Sequence, residues 1–270
     1  MKNSDFVNKV AIITGSSMGI GKATAFLLAK HGVKIVLNGR NEEKLEKTKV
    51  KMIANGYEAI AIKGDVTIPK DCEKLINTTI EIYGKIDILI NNAGISMRGN
   101  FEMLDISVFE KVYNTNILGA VYPTKFALPH IKSSKGSILF ISSVAAIRGL
   151  PGISAYCSAK MALTAIAESL KVELSGSGVH IGLVHVGFTQ NEVDKKTMNA
   201  DGNLIPIEER SSKKAQTTTE VALAIFKNIK RRHFKTIISF LGKMNAFTNK
   251  IFPRLADKIL VNSMKSTMYK

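Results

Sequence analysis

Seven short strand-like runs recur along the chain, at residues 11–14, 34–38, 58–63, 87–91, 137–143, 180–185 and 235–240, and the stretches between them carry helical patterns. Strands and helices in alternation predict a parallel, doubly wound sheet in a three-layer α/β arrangement. Binding sites in such a sheet lie at the carboxyl ends of the strands. No linker or repeat divides the 270 residues, so residues 1–270 are read as one domain with a large core.

Beyond the last strand-like run the period changes. Phe240, Leu241, Met244, Phe247, Ile251, Phe252, Leu255, Ile259, Leu260 and Met264 recur at spacings of three and four, which predicts amphipathic helices over residues 241–268, separated at Pro253. Lys243, Lys250, Arg254, Lys258 and Lys265 fall on or beside their polar side. The charge balance sharpens this picture. The chain carries 38 Lys and Arg against 22 Asp and Glu, a net +16, and residues 227–270 hold eleven of those cations against one acid, Asp257. A basic amphipathic tail suits peripheral attachment to an anionic membrane surface; alternatively, the helices cover the pocket or a subunit partner and the lysines are solvated. Nucleic acid is not an expected partner, because no recognition motif accompanies the charge.

Residues 1–9 are polar and no apolar run approaches the roughly 18 residues of a membrane span, so the expected location is the cytoplasm, with the tail as the candidate contact to a membrane. Cys72 and Cys157 read as reduced thiols. Neither they nor His31, His130, His180, His185 and His233 are spaced as metal ligands, and no metal is expected. Only His185 lies near a strand end, and it reads as a core residue.

The candidate chemistry is concentrated in one segment. Ser143 is followed thirteen residues later by Tyr156, and Lys160 stands four further on. A phenol titrates near about 10, too high for proton transfer at neutral pH, and a fixed ammonium lowers it. Residues 153–174 are strongly helix-forming, and positions i and i+4 share a helix face, so Tyr156 and Lys160 project together. At the other end of the chain, the strand-like run through Thr14 opens at once into Gly15-Ser16-Ser17-Met18-Gly19-Ile20-Gly21. Glycines after a strand permit positive φ and close backbone approach, and the helix that follows, over about residues 20–30, offers its first amides to an anion.

With both elements present, the chain resembles the short-chain dehydrogenase/reductase family. The spacing Gly-x3-Gly-x-Gly, rather than the general dinucleotide Gly-x-Gly-x-x-Gly, is that family's form, and Asp65, Asn91-Asn92-Ala93-Gly94, Asn116 and Ser143 follow in the family's order over residues 8–232. The resemblance implies a Rossmann-like domain with a variable substrate lid and a helical C-terminal extension. It also implies roles. Tyr156 would be the general acid or base and Ser143 would orient the carbonyl oxygen. Lys160 would hold the nicotinamide ribose and lower the Tyr156 pKa, and Asn116 would support a water leading from Lys160 to solvent. The cofactor would meet Gly15, Ser17, Met18, Gly19, Ile20 and Gly21 at its phosphates. Asn92, Ala93 and Gly94 would lie beside the adenosine ribose, and Asp65 and Val66 at the adenine edge, where Asp65 has the alternative of a turn carboxylate.

Where relatives that use NAD carry an acid, this chain has Gly39, and the next residue, Arg40, offers a guanidinium suited to a 2′-phosphate. NADP(H) is therefore implied over NAD(H), the alternative being an Arg40 that is solvated or paired with Glu42 or Glu43. Met18 stands where many NADP(H)-using relatives have a basic residue. After the sixth strand the family's Pro-Gly is replaced by Val186-Gly187, with Thr189 placed to meet the carboxamide through its backbone.

Residues 190–219 would form the substrate lid. They are polar, and Ser96, Met97, Val144, Ile147, Leu150 and Phe188 are the candidates for an apolar mouth. The expected function is NADPH-dependent reduction of a small-molecule ketone or aldehyde to an alcohol, in reversible fashion, by a homodimer or homotetramer. Two alternatives stand beside it: a 3-oxoacyl or lipid-ketone reductase acting near membranes, and an NADP(H)-sensing or scaffold protein without turnover, against which the intact Ser143, Tyr156, Lys160 and Asn116 argue.

Overall fold

The computed structural model describes residues 3–190, 195–207 and 215–268. Lid residues 191–194 and 208–214, with them Glu192, Val193, Asp194, Glu208, Glu209 and Arg210, lie outside the described residues.

The chain runs β1 (Val10–Ile13), α1 (Gly19–Lys30), β2 (Lys34–Gly39), α2 (Glu42–Ala54), β3 (Ala59–Lys63), α3 (Pro69–Tyr83) and β4 (Ile88–Asn91). It continues through α4 (Ile106–Tyr113), α5 (Gly119–Ser134), β5 (Ser137–Ser143), α6 (Ser154–Glu173), β6 (His180–Val186), β7 (Lys196–Met198) and β8 (Leu204–Pro206). The last elements are α7 (Thr218–Arg231), β9 (Lys235–Ile237), α8 (Phe240–Ile251) and α9 (Pro253–Met268).

Seven strands form one sheet in the order β3-β2-β1-β4-β5-β6-β9, with every pair parallel. The order reverses between β1 and β4, and that reversal opens a crevice at the strands' carboxyl ends. Each central strand is buried on both faces. In β1, Ala11 and Ile13 enter one core with residues of α1 and α7, while Val10 and Ile12 enter the other with residues of α3, α5 and α6. The near-continuous apolar runs follow from that two-sided burial.

Two features depart from the sequence expectation. The last strand ends at Ile237 rather than at residue 240, because the Ser239 side chain accepts a hydrogen bond from the Gly242 amide and caps α8. The lid, expected only as a variable segment, contains the antiparallel β7–β8 hairpin, turned through Gly202 at φ 81°. Met198 of that hairpin bridges to Met97, and Met97 is fully buried with Val108, Val112, Ala155 and Ala159, so it is core rather than pocket lining.

The C-terminal pair α8–α9 breaks at Pro253 as the pattern predicts. Among the described residues, no helix is long and apolar enough to cross a membrane.

Candidate active site

Ser143 is the last residue of β5, and Tyr156 and Lys160 are the third and seventh residues of α6. Two contacts clamp this helix to the strand. Ser142 Oγ donates to the Lys160 carbonyl at 3.2 Å, and Lys160 Nζ donates to the Ile141 carbonyl at 2.9 Å. The Lys160 side chain is buried, with Nζ 5.8 Å from the centre of the Tyr156 ring. Burial, assisted by the charge of Lys195, pushes the ammonium down to about 8. It remains largely charged at neutral pH but close to the range where it exchanges protons.

Asn116 sits in a single wide turn, Asn114–Leu118, between α4 and α5. Its carboxamide is committed to Ile95, accepting from the N–H at 2.8 Å and donating to the carbonyl at 2.9 Å. A Cβ on Gly94 would lie 2.7 Å from Asn116 Oδ1 and 3.3 Å from Lys160 Nζ, so only glycine fits between them. Ser143 Oγ accepts from the Ala145 amide at 3.1 Å, which leaves its hydroxyl proton to donate elsewhere. Behind it, His185 Nδ1 donates to the Ser143 carbonyl at 2.9 Å. The ring is fully buried, its Nε2 has no partner, and burial lowers its pKa, so His185 is a neutral prop under the strand end.

The glycine-rich loop and the segment after β4 are laced together. Asn92 Nδ2 donates to the carbonyls of Thr14 and Gly15, each at 2.9 Å, while Thr14 Oγ1 accepts from the amides of Asn92 and Ala93 at 3.0 and 3.1 Å. A Cβ on Gly15 would approach Ala93 Cα to 2.8 Å, and one on Gly21 would lie 2.5 Å from the Gly15 carbonyl. Gly19 needs its φ of 58° instead, having open space around it. Met18, at the N-cap of α1, offers no side-chain acceptor to the amides that follow. A helix start without a side-chain cap, beside a backbone cradle, suits a diphosphate, so these residues fit a dinucleotide. Thr14 is the contributor that sequence reasoning missed. Its hydroxyl at the strand end was the available signal.

At the end of β2, Arg40 Nη1 lies 3.7 Å from Asp65 Oδ2. Glu42 and Glu43, the partners weighed from sequence, pair with Lys63 and Lys47 instead. Asp65 Oδ1 accepts from both the amide and the hydroxyl of Thr67, each at 2.9 Å, so this residue is a turn carboxylate as well as the partner of Arg40. Val66 is buried against Gly119, and Ser17 Oγ would lie 3.6 Å from a Cβ at Gly39.

On the far side of the crevice, Gly187 closes on Ser239 and Gln216, to whose side-chain oxygens a Cβ would lie 3.0 and 3.1 Å away. Thr189 is buried and bridges to Gln216. Ile20 lies in the first turn of α1, and Ser96 Oγ shares a 2.9 Å hydrogen bond with Thr197 of the lid. Phe188 is more than half exposed at the mouth. Among the described residues, no cluster of His, Cys, Asp and Glu could hold a metal ion.

The family model described as short chain dehydrogenase matches residues 9–202. A relative from Arabidopsis thaliana, 11-beta-hydroxysteroid dehydrogenase-like 4A, is 39% identical over 193 residues, which cover 70% of this chain and 64% of the relative's length. Among solved structures, a short chain dehydrogenase/reductase from Burkholderia phymatum in complex with NAD superposes with a TM-score of 0.82 at 24% identity, covering 93% of this chain and 95% of the other. An alcohol dehydrogenase from the archaeon Thermococcus sibiricus, complexed with 5-hydroxy-NADP, gives 0.75 at 26% identity, covering 85% and 95%. The match over most of the sheet and through the Ser143, Tyr156 and Lys160 segment places the chain in the short-chain dehydrogenase/reductase family of oxidoreductases.

Proposed function

We propose that the protein is an NADPH-dependent carbonyl reductase, reversible as an alcohol dehydrogenase, acting on a ketone or aldehyde. The observation that carries this reading is the buried Lys160 ammonium beside Tyr156, at the carboxyl end of β5 where Ser143 keeps a hydroxyl proton to donate. The bound nicotinamide supplies the hydride. Ser143 donates to the substrate oxygen and holds it. Tyr156 gives that oxygen a proton as negative charge develops, and Lys160 stabilises the phenolate left behind. Asn116 and Gly94 keep Lys160 in place and admit the cofactor beside it. A buried, costly ammonium is hard to account for in a protein that only senses a cofactor.

Arg40 supports NADPH over NADH. Its pairing with Asp65 is exposed and worth at most about 1 kcal/mol, so a 2′-phosphate can draw the guanidinium away, and Gly39 presents no carboxylate to oppose it.

A lipid-ketone reductase working at a membrane is the second reading. Phe240, Leu241, Phe247, Phe252 and Ile259 of α8–α9 are all more than half exposed beside Lys243, Lys250 and Lys258. The hydroxysteroid dehydrogenase-like name of the Arabidopsis relative points to the same substrate class. A homodimer or homotetramer completes the proposal, and light scattering after size exclusion reads its mass.

The test is binding of NADPH and NADH to the purified protein, followed by oxidation at 340 nm with butanal, a long-chain 3-oxoacyl ester and an 11-keto steroid. Turnover lost in Tyr156→Phe supports the reductase. Tighter NADH than NADPH binding refutes the cofactor assignment, and tight binding with no turnover across the panel refutes the reductase.

A further inference from the structure

Helices α8 and α9 bury little of themselves. Among their described residues only Gly242 and Ala256 are buried, so apolar packing alone does not fix the pair on the domain. One guanidinium does much of that work. Arg148 lies five residues after Ser143 and eight before Tyr156, with its side chain 17% exposed. Its Nη1 donates to Asn249 Oδ1 at 2.8 Å and to the Pro253 carbonyl at 3.5 Å, and its Nη2 donates to Asp257. Asn249 Nδ2 returns a bond to the Ile147 carbonyl at 3.1 Å.

The end of α8, the start of α9 and the second turn of α9 therefore converge on a single residue of the loop between Ser143 and Tyr156. The same helix pair touches the loop at its other end, where a Cβ on Gly242 would lie 2.6 Å from Val144 Cγ1. Charge makes the contact specific. Asp257 is the only acid among residues 227–270, and Lys250, Arg254 and Lys258 surround it in sequence, so Asp257 is the one carboxylate this tail can offer the guanidinium. Bonds from a guanidinium to a carboxylate are the stronger kind and respond to salt where they are exposed, as Asp257 is.

We infer that Arg148 is a positioning residue that latches α8–α9 onto the loop between Ser143 and Tyr156, and so sets the shape of the substrate mouth. It governs substrate affinity and leaves proton transfer to the site itself. The inference builds on the proposed function only in its kinetic consequence; the latch can be read without any substrate.

Hydrogen exchange on the full-length protein, with and without saturating NADPH, tests it directly. In Arg148→Met, amides of residues 144–152 and 243–256 exchange at least tenfold faster than in the parent, while those of β1 and β4 do not change. Asp257→Asn gives a smaller acceleration in the same segments. The double variant is no faster than Arg148→Met, because Arg148→Met already removes the contact that Asp257→Asn weakens. Sodium chloride at 0.5 M accelerates these amides in the parent but not in Arg148→Met.

With whichever of butanal, the 3-oxoacyl ester or the 11-keto steroid turns over, KM rises at least fivefold in Arg148→Met and kcat stays within twofold. Unchanged exchange over residues 144–152, or accelerations that multiply in the double variant, overturns the latch. A fall in kcat with KM constant overturns the positioning role. If Arg148→Met also loosens β1 and β4, Arg148→Lys replaces it: the lysine keeps the charge but loses the fork, and an intermediate acceleration is required. Failure of all three carbonyl probes counts against the reductase alone, since the exchange measurement does not depend on them.

Discussion

Asn116 holds Ile95 by both ends of its carboxamide, accepting from the amide at 2.8 Å and donating to the carbonyl at 2.9 Å. This two-way bond sets where the preceding Gly94 lies, and Gly94 fills the gap between Asn116 Oδ1 and Lys160 Nζ. The wide turn between α4 and α5 is thereby connected to the ammonium of the candidate site.

Replacing Asn116 by Asp turns the donor facing the Ile95 carbonyl into a second acceptor. A buried unsatisfied group of this kind costs about 1–3 kcal/mol, and the displacement passes through Gly94 to Lys160. Asn116→Asp is expected to lower the thermal midpoint and to reduce kcat/KM at least tenfold, with NADPH binding measured alongside to separate the two effects. Unchanged kcat/KM in a folded variant would remove Asn116 from the site.

Cofactor choice is expected to respond to two adjacent positions. Arg40→Gln should weaken NADPH at least tenfold and leave NADH nearly unaffected, since in the proposed assignment only a 2′-phosphate would meet the guanidinium. Gly39→Asp should favour NADH, and the fold has room for it: the nearest atom to a Cβ there is Ser17 Oγ at 3.6 Å. Fluorescence titration with both cofactors reads each change.

The Lys160 ammonium is held in the interior at a cost. Burial depresses its pKa to about 8 from 10.5, so between those values the unfolded chain binds the extra proton and stability rises with pH. At pH 7 the full penalty is present, on the order of 3 kcal/mol at most. Lys160→Met is therefore expected to unfold at higher urea than the parent at pH 7, with the difference shrinking as pH rises above 8. Turnover should be lost. A variant less stable than the parent at pH 7 would contradict the burial argument.

His180 makes the opposite end of the sheet acid-sensitive. Its Nε2 faces the His233 carbonyl at 3.0 Å and its Nδ1 faces Ser137 Oγ at 3.2 Å, and burial pushes the ring down to about 4. The neutral ring is the folded form. Its contribution is complete above about pH 6.5 and is lost progressively as pH falls toward 4, because the unfolded chain then binds the proton that the folded one refuses. Between pH 6.5 and 5 the loss should be about 2 kcal/mol. Urea unfolding of the parent and of His180→Gln at both pH values checks this, and equal losses in the two proteins would exclude His180 as the source.

Much of the molecule follows from local pattern alone. The seven buried runs became seven parallel strands because near-continuous apolar segments alternating with helices can be buried only between two helical layers. Tyr156 and Lys160 share a helix face by spacing, the glycine loop follows β1, and the basic tail breaks at Pro253, all features set by residues within a turn or two of each other. The β7–β8 hairpin also left a local trace, in Asp201-Gly202, but strands of only three residues are too short to show a pattern.

Other relationships had no local trace. Arg40 pairs with Asp65 rather than with its neighbours Glu42 and Glu43, Asn92 reaches back to Thr14 and Gly15, His185 props Ser143, and Arg148 grips Asn249 and Asp257. Each joins residues twenty-five to more than a hundred positions apart. The amino-acid sequence by itself determined which segments are strands and helices, and where the chemistry-bearing residues fall on them, because periodicity and propensity act over a few residues. The choice of partner for each polar side chain was decided by the tertiary structure, because a hydrogen bond needs two groups within about 3 Å of each other, and only the packed sheet and helices bring such distant residues that close.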